Sequence, residues 1–390
     1  MTGLSASNNQ VLPYKLFCGG TNGNGFRKFH DCSTTIIKDS SVFSSWFIPP
    51  QIPFREKQLE LIPSLLENYQ TIYLFGSAGT GKTTVARSIA DGIKLSGLNT
   101  KFVYVNCDVN TTSYRVFYQV IRGLGIFVPR SGLSYNLFRE KFHQAYSHNT
   151  QLVVILDGIE NLKENRALKE LMESGVKLVM IGRKKFNYNS SQIELNFPSY
   201  NESQLYSILR QRAELGLANN TWDDEVLHLI AKRVAQESGN ARRAIDVLRI
   251  AAKLAESEDS EKITTEHVEP AFNLCYDEEI AAAVRILPMH HRLILAAIAK
   301  TLDSGFQKLR NTRKKRRNLR PGTGAIYSEY AKIAESRGLK PLGVRRVSGI
   351  LRELETLGLI ELKIDLGGAY GNTKVVTKYN VPPHILTSFL

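Results

Sequence analysis

The stretch GSAGTGKT at residues 76–83 follows the apolar run TIYLF and leads into TVARSIADGIKL, which has helical spacing. This order of strand, glycine-rich loop and helix is typical of a phosphate-binding loop, although a plain strand-to-helix turn is the alternative. The glycines let backbone N–H groups converge on phosphate oxygens at the helix N-terminus. The predicted nucleotide contacts are Gly76, Ser77, Ala78, Gly79, Thr80, Gly81, Lys82, Thr83 and Thr84. The sequence therefore predicts a site for ATP or ADP, with Lys82 on the outer phosphates and Thr83 on Mg²⁺.

Length and composition indicate a multidomain globular chain. The 390 residues are 43% hydrophobic, which suffices for two or three packed domains because single cores stop growing at about 250 to 300 residues. No apolar run approaches the roughly 18 to 20 residues that span a bilayer, and the N-terminus lacks the profile of a signal peptide. We therefore expect a soluble cytoplasmic protein.

The four cysteines are scattered without CxxC spacing, so reduced thiols are expected. Cys18, His30 and Cys32 offer part of a zinc site. A fourth ligand is missing nearby, which makes an ordinary loop the simpler interpretation.

The net charge of +14 is concentrated in the C-terminal part, where residues 273–390 carry 20 Lys/Arg and 10 Asp/Glu. A positive field of this kind attracts nucleic acid or an anionic membrane. The absence of a membrane signature favours nucleic acid, and a solvated charged surface without a partner is the alternative.

Four successive regions follow from the spacing of apolar residues. Residues 1–43 are rich in Gly, Asn and Ser, which indicates a flexible or loosely packed arm. Residues 44–198 alternate apolar strands with helical stretches, the pattern of a parallel sheet covered on both faces. Residues 199–272 are helical throughout and fit a small lid domain. Residues 273–390 show three helical patterns and two β-like runs around GGAYGN, which describe a winged helix, so the predicted fold class is α/β with two further domains.

A second nucleotide motif, VVILDGIE, occupies residues 153–160. Asp157 follows four apolar residues at the end of a buried strand, where its carboxylate can hold Mg²⁺ through the metal's waters. The next position, where a glutamate commonly orients the attacking water, is Gly158. Glu160 is a candidate substitute base if the strand continues, and a helix N-terminal or lid contact is the alternative.

These residues resemble the archaeal origin-recognition initiators, which are AAA+ proteins that bind replication origins and help load the replicative helicase. The resemblance covers about residues 36–375. IPFREKQ at 52–58 is similar to the family's motif that flanks the adenine, which implies nucleotide contacts from Pro53, Phe54 and Arg55. The segment at 104–134 is similar to the one that contains the family's helical insertion, which touches DNA.

The lid sequence GNARRAIDVLR at 239–249 resembles the family's sensor 2 motif. The resemblance implies that Arg242, or else its neighbour Arg243, contacts bound phosphate from the lid and couples the nucleotide state to the angle between domains. Two surface arginines on an exposed helix face are the alternative.

Three positions depart from the family pattern in groups that act on the γ-phosphate. Arg183, between Gly182 and Lys184, stands where the family usually has an asparagine that positions the water. Asn187 stands where its arginine finger is expected, and Gly158 replaces the glutamate. An arginine finger alone contributes about 10³ to 10⁵ in rate in related phosphoryl transfer, and none of these groups is needed for ground-state binding. We therefore expect nucleotide binding with weak or absent hydrolysis.

The winged helix carries the predicted DNA contacts. Its third helix, at about 342–357, places Arg345, Arg346, Ser348 and Arg352 on the polar side and leaves apolar residues for the core, as in a major-groove reading helix. Sequence alone leaves open whether these arginines contact bases or phosphates.

Two further segments of this domain are candidate DNA contacts. Tyr370, at the tip of the hairpin, and Lys374 beside it fit the minor groove or the DNA backbone, and a plain domain edge is the alternative. The basic run Arg313, Lys314, Lys315, Arg316 and Arg317 predicts sequence-independent attraction to phosphates, or else a solubilising loop.

The leading hypothesis is a DNA replication initiator that holds ATP or ADP as a structural clamp and binds double-stranded DNA, so that it would associate with the nucleoid. The replicative helicase and other initiator subunits are its implied partners. A degenerate paralogue that regulates replication or transcription without helicase loading is the second hypothesis. A true ATPase motor is the third, and it would need an arginine finger from a neighbouring subunit.

Overall fold

The computed structural model describes residues 35–95, 100–129, 132–146, 151–185, 192–310, 321–368, 371–382 and 385. A five-stranded sheet forms its N-terminal part. The strands are β1 (Thr71–Phe75), β2 (Thr100–Asn106), β3 (Gln151–Asp157), β4 (Lys177–Gly182) and β5 (Ile193–Asn196). They pair in parallel in the order β2-β3-β4-β1-β5. Four of them were predicted, whereas β5 was not, because IELN is short and only partly buried.

Helices cover both faces of the sheet, because the buried strands place apolar side chains alternately on each side. These helices are α1 (Glu56–Asn68), α2 (Lys82–Leu95), α3 (Ser113–Gly123), α4 (Tyr135–Ala145) and α5 (Arg166–Glu173). On β3, Val154 packs into a cluster with α3, α4 and α5. Its neighbour Val153 packs into a second cluster with α1 and α2. The predicted α/β layering is confirmed.

The pairing register brings the functional strand ends together. Phe75, the last residue of β1, pairs with Gly182 at the end of β4, and Asp157 at the end of β3 pairs with Ile181. The glycine-rich loop therefore begins beside the two strand ends that carry Asp157 and Arg183. Crevices at the carboxyl ends of parallel strands are where ligands bind in open α/β sheets.

The predicted lid is helical as expected. Its helices are α6 (Glu202–Gly216), α7 (Asp224–Glu237), α8 (Ala241–Ser257) and the first part of α9 (Val268–Ile286). Helix α9 crosses the predicted domain boundary at residue 272, because Ile280 and Val284 pack in the core of the winged helix. Asn201 caps α6 in a capping box with Gln204, and the Asn240 side chain caps α8. These caps satisfy N–H groups that have no partner inside a helix.

Residues 35–43 correct part of the predicted N-terminal arm. Ile36, Val42 and Phe43 are buried in the lid core. The Ala218 N–H donates to the Ile36 carbonyl at 2.9 Å. The chain is therefore packed already at Ile36, ahead of the predicted boundary at residue 44, because these apolar side chains complete the lid core.

The C-terminal part is the predicted winged helix. It comprises α10 (Met289–Arg310), α11 (Thr323–Ser336), α12 (Val344–Thr356), β6 (Ile360–Gly368) and β7 (Gly371–Tyr379). The two strands are antiparallel, and the three helices and the hairpin share one apolar core.

Two expectations on membranes and metals concern the whole chain. Among the described residues, no helix has the length and apolar content that crossing a membrane requires. The part of the chain that the structure describes also contains no cluster of three or more His, Cys, Asp or Glu side chains suited to a metal. Cys18, His30 and Cys32 lie outside it.

Candidate functional site

The glycine-rich loop leaves β1 at Phe75 and enters α2 at Lys82. Gly79 has φ of 71°, and a Cβ at this position would fall 1.6 Å from Oδ1 of Asn240. The Gly79 carbonyl accepts a hydrogen bond from the N–H of Ala241 at 3.1 Å. Because only glycine allows this backbone and this approach, the loop packs directly against the N-terminus of the lid helix α8.

Lys82 is buried within the loop. Its Nζ donates to the carbonyl oxygens of Gly76 at 2.7 Å and Ser77 at 2.6 Å, and to Oγ1 of Thr80 at 3.2 Å. Burial lowers the pKa of Lys82 to about 8, while the charge of Asp157 opposes that shift. Its present acceptors are neutral oxygens, so anionic phosphate oxygens would bind the ammonium group more strongly.

Thr83 and Asp157 lie together at the start of α2 and the end of β3. Oγ1 of Thr83 donates to Oδ2 of Asp157 at 2.7 Å, and the Tyr104 hydroxyl donates to the same oxygen at 2.8 Å. Burial, followed by the charge of Asp157, raises the pKa of Tyr104. A hydroxyl oxygen beside a carboxylate provides the hard oxygen ligands that Mg²⁺ takes next to nucleotide phosphates. The two predicted metal residues therefore fit the ion.

A cavity of about 500 Å³ extends from the loop to the lid. Its lining includes the polar residues Lys82, Thr83 and Asp157 and the apolar residues Phe47 and Ile245. Size, apolar walls and a few convergent polar groups are the usual features of a small-molecule site. Further predicted contacts that line it are Pro53, Gly79, Thr80, Gly81, Thr84 and Arg242.

Arg55 supports the glycine-rich loop through hydrogen bonds. Its side chain is buried, and its Nε donates to the Thr80 carbonyl at 3.0 Å. Nη2 donates to the Pro198 carbonyl at 2.7 Å, and the guanidinium lies 4.2 Å from the Tyr200 ring centroid. Nη1 is bound to the carbonyl of Phe54, a residue with φ of 63°. Arg55 therefore connects the loop to the segment after β5, and its direct contact with nucleotide stays a prediction.

The two lid arginines take different positions. Arg242 lines the cavity. Arg243 instead pairs with Glu237 at 3.2 Å and with Glu279 at 4.0 Å. The geometry favours Arg242 as the arginine that faces a bound nucleotide.

The chain turns sharply at the end of β3, where the sequence predicts that a hydrolytic carboxylate is missing. Gly158 has φ of 79°, so the strand stops at Asp157 and a short 3₁₀ turn, Ile159–Asn161, follows. This turn brings the Glu160 carboxylate to Nε of Arg183 at 3.4 Å. Glu160 therefore neutralises the arginine that stands in the asparagine position of the related family, and its role as a base stays a prediction.

Tyr73 and Lys184 contact each other beside the end of β4. A Cβ at Gly182 would lie 2.2 Å from the Tyr73 hydroxyl, which donates to the Lys184 carbonyl at 2.5 Å. Gly182 thus leaves room for a tyrosine at the strand end. Asn187, the position of the expected arginine finger, lies outside the described residues.

Sequence reasoning missed several residues of the cavity wall. The Trp46 side chain is 59% exposed, with the Arg87 guanidinium 4.7 Å from its ring centroid and the Tyr104 ring 6.3 Å away edge-on. Arg212 is buried, and burial lowers its pKa to about 10. The parallel pairing of β2 and β3 could have indicated that Tyr104 lies near Asp157. Trp46 precedes the nucleotide motifs, and nothing in the sequence marks it as a residue of the cavity wall.

Helix α12 divides its predicted DNA contacts between two rows. Arg345, Ser348 and Arg352 are spaced three and four residues apart, and Nζ of Lys374 on β7 donates to Oγ of Ser348 at 3.3 Å. Arg346 lies about 100° away around the helix axis, where Nη1 is 2.9 Å from Oε1 of Glu353. The structure therefore groups the first three residues with Lys374 and separates Arg346 from them.

Some predicted contacts are displaced from the cavity or fall outside the described chain. Ser77 and Ala78 are exposed at the turn of the loop, and Gly76 is pressed against the Phe197 carbonyl. The candidates that lie outside the described residues are Arg313, Lys314, Lys315, Arg316, Arg317 and Tyr370.

Three family models match successive parts of the chain. An AAA domain matches residues 66–188, a Cdc6 AAA+ ATPase-type lid domain matches 206–273, and a CDC6 C-terminal winged helix domain matches 282–388. Together they follow the three regions of the fold.

Whole-chain relatives are also similar. An ORC1-type DNA replication protein 1 of Archaeoglobus fulgidus is 32% identical over 371 residues, which cover 88% of each chain. Its counterpart in Sulfurisphaera tokodaii is 31% identical over 368 residues, or 87% of this chain and 89% of that protein. Among solved structures, the Aeropyrum pernix ORC1 protein in complex with DNA has a TM-score of 0.77 and 29% identity, covering 91% of this chain and 96% of that one.

Proposed function

Since the chain belongs to the family of archaeal ORC1-type DNA replication proteins, we propose that it is a replication initiator that binds ATP or ADP with Mg²⁺ and recognises double-stranded DNA. The winged helix would contact the duplex through Arg345, Ser348, Arg352 and Lys374. The related ORC1 protein of Aeropyrum pernix has been solved with DNA, which supports this partner.

One observation carries the nucleotide part of the proposal. Lys82, Thr83 and Asp157 lie together at one cavity end, whereas the catalytic glutamate position beside them is Gly158. Nucleotide would therefore act as a clamp between the loop and the lid more than as fuel, because ground-state binding does not require the hydrolytic groups. The hydrogen bond between Gly79 and Ala241 supports this role, since it already links the loop to the lid.

Single-turnover hydrolysis tests the clamp. With Mg²⁺ and ATP, the rate is expected to fall at least about 10³-fold below the ~1 s⁻¹ of an active phosphoryl-transfer enzyme, with or without duplex DNA. The Lys82→Ala variant is the control for contaminating activity. Rapid turnover in the native chain that disappears in Lys82→Ala would overturn the clamp.

A degenerate paralogue that binds DNA as a regulator is the second candidate, and the missing hydrolytic groups favour it equally. Recruitment of the replicative helicase onto duplex DNA in a reconstituted assay would exclude the regulator. DNA binding without any recruitment would exclude the loader. Cooperative turnover on assembly with other initiator subunits would instead support a motor, with an arginine finger supplied in trans.

A further inference from the structure

Arg346 takes an unusual direction on α12. Long side chains on a helix normally lean toward its N-terminus. The Arg346 side chain instead runs toward the C-terminus, where Nη1 meets Oε1 of Glu353, seven residues on, at 2.9 Å. A Cβ at Gly349 would lie 3.8 Å from the same Nη1, so the arginine passes over this glycine. The hydrogen bond to Glu353 therefore explains why the Arg346 side chain runs toward the C-terminus of the helix.

Glu353 is itself fixed from a different helix. Its second carboxylate oxygen, Oε2, lies 2.7 Å from Nε2 of His291 on α10, whose side chain is almost fully buried. The hydrogen bond with His291, and then the charge of Arg346, lower the pKa of Glu353. Each oxygen of an ionised carboxylate thus has its own partner, and the buried histidine holds the carboxylate in place.

The two rows of α12 consequently differ in the charge that they offer. Arg345 and Arg352 lie on the row that meets Lys374 of the wing. Arg346 faces a carboxylate that neutralises it. Every unpaired arginine at a DNA interface adds attraction to phosphates that is independent of sequence.

We infer that Glu353 is a positioning residue that withholds Arg346 from the phosphates of non-target DNA and so improves the discrimination achieved by the row of Arg345, Ser348 and Arg352. This inference rests on the proposed DNA-binding function. Glu353 would lower the affinity for DNA of any sequence, because it removes an attraction to phosphates that every duplex would otherwise share.

The test compares Glu353→Gln with a matched acid on the same domain. Glu361 on β6 is also exposed and pairs with Lys378 at 3.4 Å, so Glu361→Gln removes one charge without freeing Arg346. The probe is a 40-base-pair duplex of mixed sequence, titrated with the full chain by fluorescence anisotropy across a salt series. Glu353→Gln is expected to bind about fivefold more tightly, with a log–log salt slope steeper by about 0.9. Glu361→Gln is expected to leave the slope unchanged.

A double-mutant cycle tests whether Arg346 causes the change in salt slope. If the freed arginine causes the change, Arg346→Ala with Glu353→Gln returns to the slope of Arg346→Ala alone. Glu353→Asp keeps the charge but is shorter by one methylene, so it cannot reach both partners and is expected to steepen the slope as Glu353→Gln does. Thermal unfolding of each variant checks that the winged helix still folds, and the cycle compares folded variants only.

Selection from a randomised duplex pool measures discrimination directly. The native chain is expected to enrich a sharper sequence motif than Glu353→Gln does. An unchanged salt slope in Glu353→Gln, or a rise in affinity that persists in the double variant, would overturn the inference while the DNA-binding function stands. If the native chain binds no duplex, the proposed function is wrong and the inference falls with it.

Discussion

Two neighbouring groups of residues beside the glycine-rich loop are built differently: the loop end, which lines the cavity, and the strand end, which follows β3 and β4. At the loop end, Lys82 has three hydrogen-bond partners, and Asp157 receives hydrogen bonds from Thr83 and Tyr104. At the strand end, Gly158 stands where a catalytic carboxylate is expected, and the exposed side chains of Glu160 and Arg183 form a loose ion pair at 3.4 Å. The groups proposed to hold phosphate are thus preorganised by buried contacts, whereas the strand end consists of exposed side chains.

Under the proposed function, binding and hydrolysis depend on separable parts of this fold. The loop end is made by backbone geometry and buried contacts, so its loss would disturb the sheet and α2 together. The strand end uses a few side chains that project beyond β3 and β4, and such side chains can be exchanged without repacking the core. The proposed clamp would therefore keep nucleotide as a structural ligand without the reaction.

The largest expected effect concerns the loop end. Lys82→Ala removes the charge that would bind the outer phosphates, and charge-assisted hydrogen bonds contribute about 1.5 to 3 kcal/mol. We expect ATP affinity to fall about 100-fold in a titration with a fluorescent ATP analogue. Arg183→Ala, which removes a cation from the strand end, is the matched control and should change affinity less than about twofold, because exposed ion pairs contribute little. Equal losses in the two variants would remove the distinction between the ends.

A smaller effect is expected from pH, because the pKa of Lys82 lies at about 8 in the absence of nucleotide. A bound phosphate raises this pKa, so nucleotide binding takes up a proton whenever Lys82 starts out neutral. Affinity should therefore be nearly constant below pH 7 and fall as pH rises through 8, by about tenfold between pH 7 and pH 9. Calorimetry in two buffers with different ionisation enthalpies measures the proton uptake.

Lys82→Arg is the control for this pH dependence, since an arginine stays charged over the whole range. Its affinity is expected to be lower at pH 7 but constant up to pH 9. A native profile as flat as that of Lys82→Arg would show that Lys82 is charged throughout and that the loop end imposes no cost on its ammonium group.

Much of the fold could be predicted because it depends on local periodicity. The apolar runs around Val154 and Met180 and the helical spacing of residues 241–256 identify strands and helices without reference to the rest of the chain. The separation of Arg346 from Arg345 also follows from 100° per residue. Its pairing with Glu353 does not, because that contact runs against the usual lean of the side chain.

The less predictable features depend on contacts between distant segments. Tyr104 reaches Asp157 only because β2 and β3 are neighbours, and Arg55 is a brace because Pro198 and Thr80 lie beside it. Trp46 joins the cavity wall through Arg87 on α2. The sequence predicts a missing carboxylate at Gly158, but the left-handed backbone of this residue is visible only in the structure.

The left-handed backbone at Gly158 gives the smallest predicted effect, a change in the free energy of unfolding. A side chain at φ of 79° is strained, so Gly158→Ala should lower the free energy of unfolding by about 1 kcal/mol in urea denaturation. Gly175 has φ of 75° with no atom within 4 Å of its added Cβ, whereas at Gly158 that Cβ meets Oδ1 of Asp108 at 2.6 Å. Gly175→Ala therefore measures backbone strain alone, and any excess cost in Gly158→Ala reports the contact with Asp108.

Nucleotide affinity should stay within about twofold of native in Gly158→Ala, because the strain is confined to the strand end. The same strain bears on the proposed lack of hydrolysis. A glutamate at 158 would adopt this left-handed backbone or force the turn to reorganise, so Gly158→Glu alone should not produce rapid turnover. If it did, the strand end would have lost only a side chain. If it does not, the left-handed backbone at Gly158 and the other two departures, Arg183 and Asn187, each account for the missing turnover.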